Sequence, residues 1–597
     1  MHEVLTDTIH TKYFKNTIEG SLDRFLQRRR EQKKFSHEDV THNIQSVVLS
    51  NSKSINQTNH ISITLTLDSY INNSIMSKST TVKQINNFIH GKFLPPSSNA
   101  YLPVTSPATN TQIASVALSS PSDVHSAIQS SLSAFSAWSS LTIKSRASIM
   151  LKFHSLVQKH SHELAQLIVL ENGKNFNEAL ADVAKGNETV EYACSLPQLA
   201  QGKVLQVSSN VLCSDRRDPL GVVASIVPFN FPFMVPMWTI PIALVMGNTV
   251  ILKPSEKVPM TMYRVLDLFK EAGLPDGVLN VVQGTKDAVN ALIESPDVKA
   301  VTFVGSSPVA KLISEKCRAL NKRCTALGGA KNHLIALGDC DLEETARDIV
   351  VSSMGCAGQR CMAASVLLLV GGGVSQKKLL AKVIEKAKEI EKGTEPGQMG
   401  PVIDDVSLNK ICSYIQDAEK TSGAEILLDG RTWLSEGGGN FIGPTIIKHS
   451  SATDAAMTEE IFGPVLSVHE VSTWNEAISI ENANDFGNAA CIYTSNGGAA
   501  EWFTQRFRAS MLGINVGIPV PREPFSFGGL YGTKSKYGDV DITGDGAMEF
   551  FSNRIKVTSK WIVPKEATVV DHITSNGNGT MVNGSSNVDH ANFNGRM

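Results

Sequence analysis

PLGVVASIVPFNFPFMVPMWTIPIALVMGNTVILKP, residues 219–254, is the stretch that decides how this chain folds. It is almost wholly apolar, and two readings compete for it. A membrane-spanning helix needs about 20 predominantly apolar residues with every backbone hydrogen bond closed internally. Here Pro228, Pro232, Pro236 and Pro241 interrupt the run, and Asn230 sits in its middle. Each proline removes a backbone donor and breaks a helix interior. The stretch therefore reads as a buried strand (GVVASIVP, 221–228), an ordered turn, a short helix and a second strand (TVILK, 249–253).

The same alternation continues outward. A helix is expected over about 259–272, ended by Gly273, then strand VLNVV (278–282) and a helix over about 286–295. Strand VKAVTFV (298–304), helix SPVAKLISEKCRAL (307–320), strand HLIAL (333–337) and a helix over about 341–355 follow. Continuous apolar strands alternating with amphipathic helices imply an α/β fold whose parallel sheet is covered on both faces. Ligands of such sheets bind beyond the carboxyl ends of the strands. From about 362 a second α/β unit begins, with strand ASVLLLV (364–370) and helix KKLLAKVIEKAKEIEK (377–392). No internal repeat is visible.

Bulk properties narrow the function classes. A chain of 597 residues suits two or three domains. Hydrophobic residues make up 42% and charged residues 19%, a globular composition. The net charge of −2 gives no electrostatic pull toward nucleic acid or an acidic membrane. Nine cysteines without a CxxC pair argue against a zinc ribbon and for reduced thiols, and no metal site is expected. Residues 1–85 read as an extension, a targeting segment, a disordered arm or the product of a wrongly chosen start codon, with a basic cluster at Arg28, Arg29 and Arg30. Its start carries Glu3 and Asp7, which makes it a poor mitochondrial presequence. The globular pattern starts at Met76, and the Asn/Gly/Ser-rich tail over 563–597 reads as disordered.

Five features could carry chemistry. Lys253-Pro254-Ser255-Glu256 follows strand TVILK, where a Lys and a Glu could hold the edges of an adenosine ribose. Gly305-Ser306 follows strand VTFV and opens a helix whose free N–H groups would suit a pyrophosphate, although an ordinary capped turn explains it equally. No G-x-G-x-x-G follows any strand. Cys361 in Gly358-Gln359-Arg360-Cys361-Met362-Ala363 is a candidate nucleophile, with Cys356 as its competitor. An unperturbed thiol is only about 3% thiolate at neutral pH, a fraction that backbone amides or a nearby cation can raise. Asn230, between aromatics and prolines, could donate to a developing oxyanion or simply cap a turn. Glu459-Glu460-Ile461-Phe462-Gly463-Pro464 reads on its own as a helix end and a turn.

Taken in order, PFNFP, KPSE, VGS, GGAK, GQRC, NFIGPT (440–445) and EEIFGPV (459–465) resemble the aldehyde dehydrogenase superfamily over residues 86–562. The resemblance implies a Rossmann-type NAD domain over 86–331, with part of an oligomerisation element near 203–219. It further implies a catalytic domain over 332–530 and the rest of the oligomerisation element over 531–562. By the same resemblance Cys361 is the nucleophile and Asn230 the oxyanion donor. Phe229, Lys253, Glu256, Lys257, Gly305, Ser306, Glu460 and Phe462 would hold NAD, and the Glu256 carboxylate would repel the 2′-phosphate of NADP.

A closer branch is indicated by GAKNH (329–333), GQRCMA and NVGIPVP (515–521), which look like the CoA-acylating methylmalonate-semialdehyde dehydrogenases. Hydrolytic members of the superfamily carry E-L-G-G-K, whose Glu activates water. This chain has Leu327-Gly328-Gly329-Ala330-Lys331, and an alignment shifted by one puts Ala326 at the Glu position. Neither residue can accept a proton, so a better nucleophile such as CoA is expected to release the acyl group. His333 is the nearest other base in sequence, and its place at a strand start favours a structural role. Two departures from the branch stand out: Leu327-Gly328 replaces its Asn-Met, and Lys185 in Asp182-Val183-Ala184-Lys185-Gly186 replaces an Arg held to bind the substrate carboxylate. Lys keeps the charge and loses the fork. Arg360 is the second expected carboxylate partner. The resemblance also implies a homo-oligomer (tetramer or dimer), a role in valine and pyrimidine catabolism, and a mitochondrial address, with the cytoplasm as the alternative. A general aldehyde dehydrogenase making free acid and a non-catalytic paralogue are the competing functions.

Overall fold

A computed structural model describes residues 82–562. The expectations for residues 1–81 and 563–597 lie outside the described residues. Before the stretch that opens the sequence reading, the chain runs through helices α1 (Ser161–Asn172) and α2 (Phe176–Leu199) and strands β1 (Val204–Ser208) and β2 (Val211–Pro219). The Asn175 side chain starts α2 by accepting the Glu178 N–H. The apolar stretch then folds as β3 (Val222–Ile226), α3 (Met234–Val245) and β4 (Thr249–Lys253). Helix α3 carries Pro236 in its first turn and Pro241 inside, and every residue from Val235 to Val245 is buried. Among the described residues, no helix is long and apolar enough to cross a membrane.

Next come α4 (Met260–Glu271), β5 (Leu279–Val281), α5 (Lys286–Glu294), β6 (Val298–Val304), α6 (Ser307–Ala319) and β7 (Arg323–Leu327). In the first sheet the order is 7-6-3-4-5, all parallel, with short antiparallel strands added at both edges. The sequence path runs outward from β3 through β4 and β5, then returns to β6 on the other side of β3. The crevice beyond the ends of β3 and β6 is therefore a topological switch point, where such sheets bind ligands.

A second sheet follows: β8 (Asn332–Ala336), α7 (Leu342–Met354), β9 (Ala364–Val370), α8 (Val374–Lys388), β10 (Glu425–Leu428), β11 (Thr445–His449), β12 (Val465–Val471), β13 (Ala489–Tyr493) and β14 (Met511–Ile514). Its order is 10-11-12-9-8-13-14, parallel except at β10. The Asp341 carboxylate caps α7 by accepting the N–H groups of Glu343 and Glu344. Near the end, β15 (Lys536–Tyr537) pairs with β7, and helix α9 (Gly544–Phe550) leads into β16 (Ser552–Lys560), which pairs with β2 along its length.

Two sequence expectations change. Strand β7, RCTAL, was not anticipated: its first residues are Arg and Cys, and its outer neighbour β15 has only two residues, so it lacks the apolar run of a central strand. The helix expected over 377–392 starts at Val374 and ends at Lys388, because the chain is drawn into a bridge between Lys392 and Met399.

Candidate active site

The turn after β3 is built by side chains from α1, α2 and the loop between them. Asn172 Nδ2 donates to the Phe229 carbonyl (3.0 Å), and Lys174 Nζ donates to the Asn230 carbonyl (2.7 Å). Lys174 also pairs with Asp182 Oδ2 (3.1 Å), with both side chains almost wholly buried, and lies 4.1 Å from the centre of the Phe231 ring. Asp182 Oδ1 accepts the Met234 N–H that begins α3 (2.7 Å). Burial pushes the Asp182 carboxyl up, and Lys174 opposes that shift. The turn and the start of α3 are thus fixed to one buried ion pair. Within it, Asn230 Nδ2 donates to the Gln359 carbonyl (2.9 Å), so one of its two N–H groups is used and the other remains.

The turn before Cys361 is unusual. After α7 the backbone passes through three consecutive left-handed residues, Cys356 (φ 52°), Ala357 (φ 52°) and Gly358 (φ 68°). A side chain at Gly358 would come 2.1 Å from the Gly463 carbonyl oxygen, so glycine is required there. Non-glycine residues in this region cost of order 1–3 kcal/mol each and persist only where surroundings impose them. Here Glu178 Oε1 accepts the Cys356 N–H (2.6 Å), and the buried Gln359 amide accepts the Ile403 N–H (3.0 Å). Asn332 and Asn488 both donate to the Cys361 carbonyl (3.0 and 2.9 Å). These contacts span more than 300 residues of sequence and bring Cys361 and Asn230 to one site.

The Cys361 thiol is pushed up to about 12, first by burial and then by the Glu460 carboxylate; its own N–H, that of Met362, and Arg360 oppose the shift. Backbone amides are present, as the sequence suggested, but desolvation outweighs them. The thiol is therefore protonated in the absence of a ligand. Cys356 is also raised by burial, and its sulfur accepts from Arg360 Nε (3.2 Å). Arg360 Nη2 donates to Glu178 (3.0 Å), so the guanidinium is held between sulfur and carboxylate.

Cys361 opens on a cavity of about 490 Å³. Phe231, Met234, Trp238 and Phe527 form its apolar wall, and its cations are Lys185, Arg360 and Arg522. Lys185 lies 3.6 Å from Glu188 on the same helix. Arg522 was missed from sequence, although its place directly after NVGIPVP was a signal. Leu327 and Met362 belong to the buried cluster against which Cys361 packs, so no carboxylate stands at the Leu327 position; Ala326 faces a different cluster. His333 is buried, bonded to the Lys331 carbonyl (3.0 Å), and pushed down to about 4 by burial. It stays neutral with its ring engaged in structure.

On the other side of Cys361 lie the groups expected to hold a dinucleotide. Lys253 is buried, its ammonium pulled down by desolvation and supported by Glu256 Oε2 at 3.2 Å. Two of its three N–H groups remain free for hydroxyls. Gly305 and Ser306 open α6, whose first turn no side chain caps. Glu460 Oε1 accepts the Ala330 N–H (2.8 Å), and Oε2 has no partner among the described residues. A side chain at Gly329 would strike that carboxylate at 2.2 Å. Phe462, at φ 62°, meets the Phe229 ring edge-on at 6.0 Å. This donor set fits ribose hydroxyls at two places and a pyrophosphate between them. Lys257 differs: its ammonium pairs with Asp404 and stacks 5.3 Å from the Phe229 ring. Lys331 was not anticipated as a site residue. Among the described residues its buried ammonium has no hydrogen-bond partner; it is pushed down to about 7 by burial, with Glu460 the main opposing charge.

Comparison with known proteins agrees with this geometry. The aldehyde dehydrogenase family profile matches residues 93–557. Malonate-semialdehyde dehydrogenase 1 of Geobacillus thermodenitrificans is 42% identical over 487 residues, covering 81% of this chain and all of that enzyme. The methylmalonate-semialdehyde dehydrogenase of Oceanimonas doudoroffii superposes with a TM-score of 0.79 at 38% identity, covering 81% of this chain and 99% of the other. An NAD⁺ complex of an aldehyde dehydrogenase from Bacillus cereus superposes with a TM-score of 0.76 at 29% identity, covering 80% and 97%. The malonate-semialdehyde dehydrogenases found are bacterial, which corrects the mitochondrial expectation: the resemblance that suggested that address leads to organisms without the organelle. With its strand order and the match over most of its length, the chain belongs to the aldehyde dehydrogenase family.

Proposed function

We propose that the protein oxidises malonate or methylmalonate semialdehyde with NAD and passes the acyl group to CoA. The observation that carries this reading is that Cys361 packs on the apolar cluster that holds Leu327, at the position where hydrolytic relatives hold a base. The names of the bacterial relatives support the substrate. Lys253, Glu256, Gly305, Ser306, Glu460 and Phe462 hold the cofactor, while Phe229 and Lys257 shape its pocket. When bound there, NAD would supply the hydride acceptor and a positive charge.

Cys361 attacks the aldehyde carbon as thiolate, forming the C–S bond. The free N–H of Asn230 and the Cys361 backbone N–H stabilise the oxyanion. Loss of hydride from that carbon leaves a thioester on Cys361. Arg360, while held by Glu178 and the Cys356 sulfur, and Lys185, beside Glu188, offer positive charge to the substrate carboxylate. A β-carboxy thioester loses CO2 because the thioester carbonyl accepts the electron pair. The CoA thiol then displaces Cys361 and releases acetyl-CoA or propanoyl-CoA, products that belong to pyrimidine and valine breakdown. Strands β1, β2 and β16 form a three-stranded sheet with a largely exposed face, which we read as the oligomerisation element of a dimer or tetramer.

The test is NADH formation from malonate semialdehyde with and without CoA. Sustained turnover with CoA, and a burst of about one equivalent per site without it, is expected. Full steady-state turnover to free acid without CoA overturns the acylating reading.

A further inference from the structure

The cavity is larger than a three-carbon semialdehyde requires, and its charges are not evenly paired. Its acids are Glu178, Asp182, Glu188 and Glu523. Asp182 is bound to Lys174, Glu178 to Arg360, and Glu523 Oε1 accepts the Thr189 hydroxyl at 2.9 Å. Glu188 is different, because two cations share it. Lys185 approaches Oε1 from the same helix, and Arg522 contacts Oε2 from the loop between β14 and β15. This clamp lies at the open end of the cavity: Arg522 is 53% exposed, whereas Arg360 beside Cys361 is 19% exposed. A guanidinium has thus arrived from another element at the place where Lys185 lacks the fork.

We propose that Arg522 and Lys185 form an outer carboxylate seat, occupied at rest by Glu188, that admits a second substrate class: longer ω-carboxylated aldehydes, such as glutaric semialdehyde. The aldehyde end reaches Cys361 while the distant carboxylate displaces Glu188 from the clamp. The aldehyde carbon gives its hydride to NAD and gains the Cys361 sulfur. CoA sulfur then replaces the Cys361 sulfur, and its proton goes to solvent. The carboxylate of these substrates is too far from the thioester carbonyl to be lost as CO2, so the product is a carboxyacyl-CoA of undiminished carbon number. The inference rests on the acylating reading above.

The experiment measures kcat/KM for glutaric semialdehyde, pentanal and malonate semialdehyde at saturating NAD and CoA, in the wild type, Arg522→Leu and Glu188→Gln. The wild type is expected to favour glutaric semialdehyde over pentanal by about tenfold or more, and to yield glutaryl-CoA by mass. Arg522→Leu should erase that preference through KM, and Glu188→Gln, which frees both cations, should raise it. Equal losses on pentanal and glutaric semialdehyde, or a rise in the KM for CoA instead, would overturn the clamp. Turnover of malonate semialdehyde without turnover of glutaric semialdehyde in the wild type would overturn it and leave the acylating reading intact. Failure of CoA-dependent turnover with all three aldehydes would sink that reading instead.

Discussion

Cys361 should be an unreactive thiol until the cofactor binds, and its pH profile can show this. Burial and Glu460 push it up to about 12. At pH 7 the thiolate fraction is then about 10⁻⁵, against about 3 × 10⁻² for an unperturbed thiol, roughly a 3,000-fold deficit. A more basic thiolate is intrinsically more nucleophilic, with a Brønsted slope of about 0.4–0.5, which returns roughly 40-fold. The net expectation is a thiol on the order of 100-fold slower than free cysteine toward a small reagent such as methyl methanethiosulfonate. The assay follows labelling of Cys361 by mass between pH 6 and 10. Without cofactor the rate should climb about tenfold per pH unit with no plateau, because the group stays protonated below its raised pKa. With NAD the curve should move to lower pH, since positive charge near the sulfur favours the thiolate. Glu460→Gln removes one raising cause and should shift the cofactor-free curve the same way. A cofactor-free rate that levels off between pH 7 and 9 would refute the account, because steric shielding lowers a rate without moving its midpoint.

Three further outcomes are expected. Cys361→Ala should abolish aldehyde oxidation while NAD still binds by calorimetry, and Cys356→Ala should keep measurable turnover; the reverse pattern would exchange their roles. Lys174→Met leaves the Asp182 carboxyl buried without its partner, at a cost on the order of 3–5 kcal/mol by urea denaturation; Lys174→Met with Asp182→Leu should cost less than the single change, and equal effects would mean the pair is not coupled. NAD should be preferred to NADP, with Glu256→Gln narrowing the gap in kcat/KM; equal efficiency in the wild type would remove Glu256 from the argument.

The sheets were legible because their strands are buried on both faces, which writes continuous apolar runs such as VKAVTFV and ASVLLLV into the chain. The cofactor crevice followed from strand ends, since Lys253 is the last residue of β4 and Gly305 stands one residue beyond β6. Strand β7 was not legible because a short strand held between β6 and a two-residue partner needs no such run. The left-handed turn at Cys356 and Ala357 was hidden too: neither residue type favours that conformation, and what imposes it is Glu178 from another helix. The same non-locality explains Arg360. Its position beside Cys361 suggested a free cation for substrate, yet Glu178 and the Cys356 sulfur already hold it. Sequence spacing conveys which groups are present and says little about which are already paired.

That distinction bears on why Leu327 matters beyond the loss of a base. Cys361 packs against the cluster that holds Leu327 and Met362, and desolvation is the largest cause of its raised pKa. A carboxylate at that position would lie in the same cluster and could serve as proton acceptor, but it would also bring a second negative charge, after Glu460, toward the sulfur. The apolar wall therefore has two linked effects. On the proposed mechanism it leaves the thiol dependent on the positive charge of a bound cofactor, so that aldehyde should be attacked only when a hydride acceptor is in place. It also withholds general-base help, about 10²–10⁴-fold, from water once the thioester has formed. A thioester made only in the presence of an acceptor, and hydrolysed slowly once made, persists long enough for decarboxylation and for a thiol to arrive. On this argument the acylating chemistry needs no dedicated residue for CoA activation; it follows from what the β7 terminus omits.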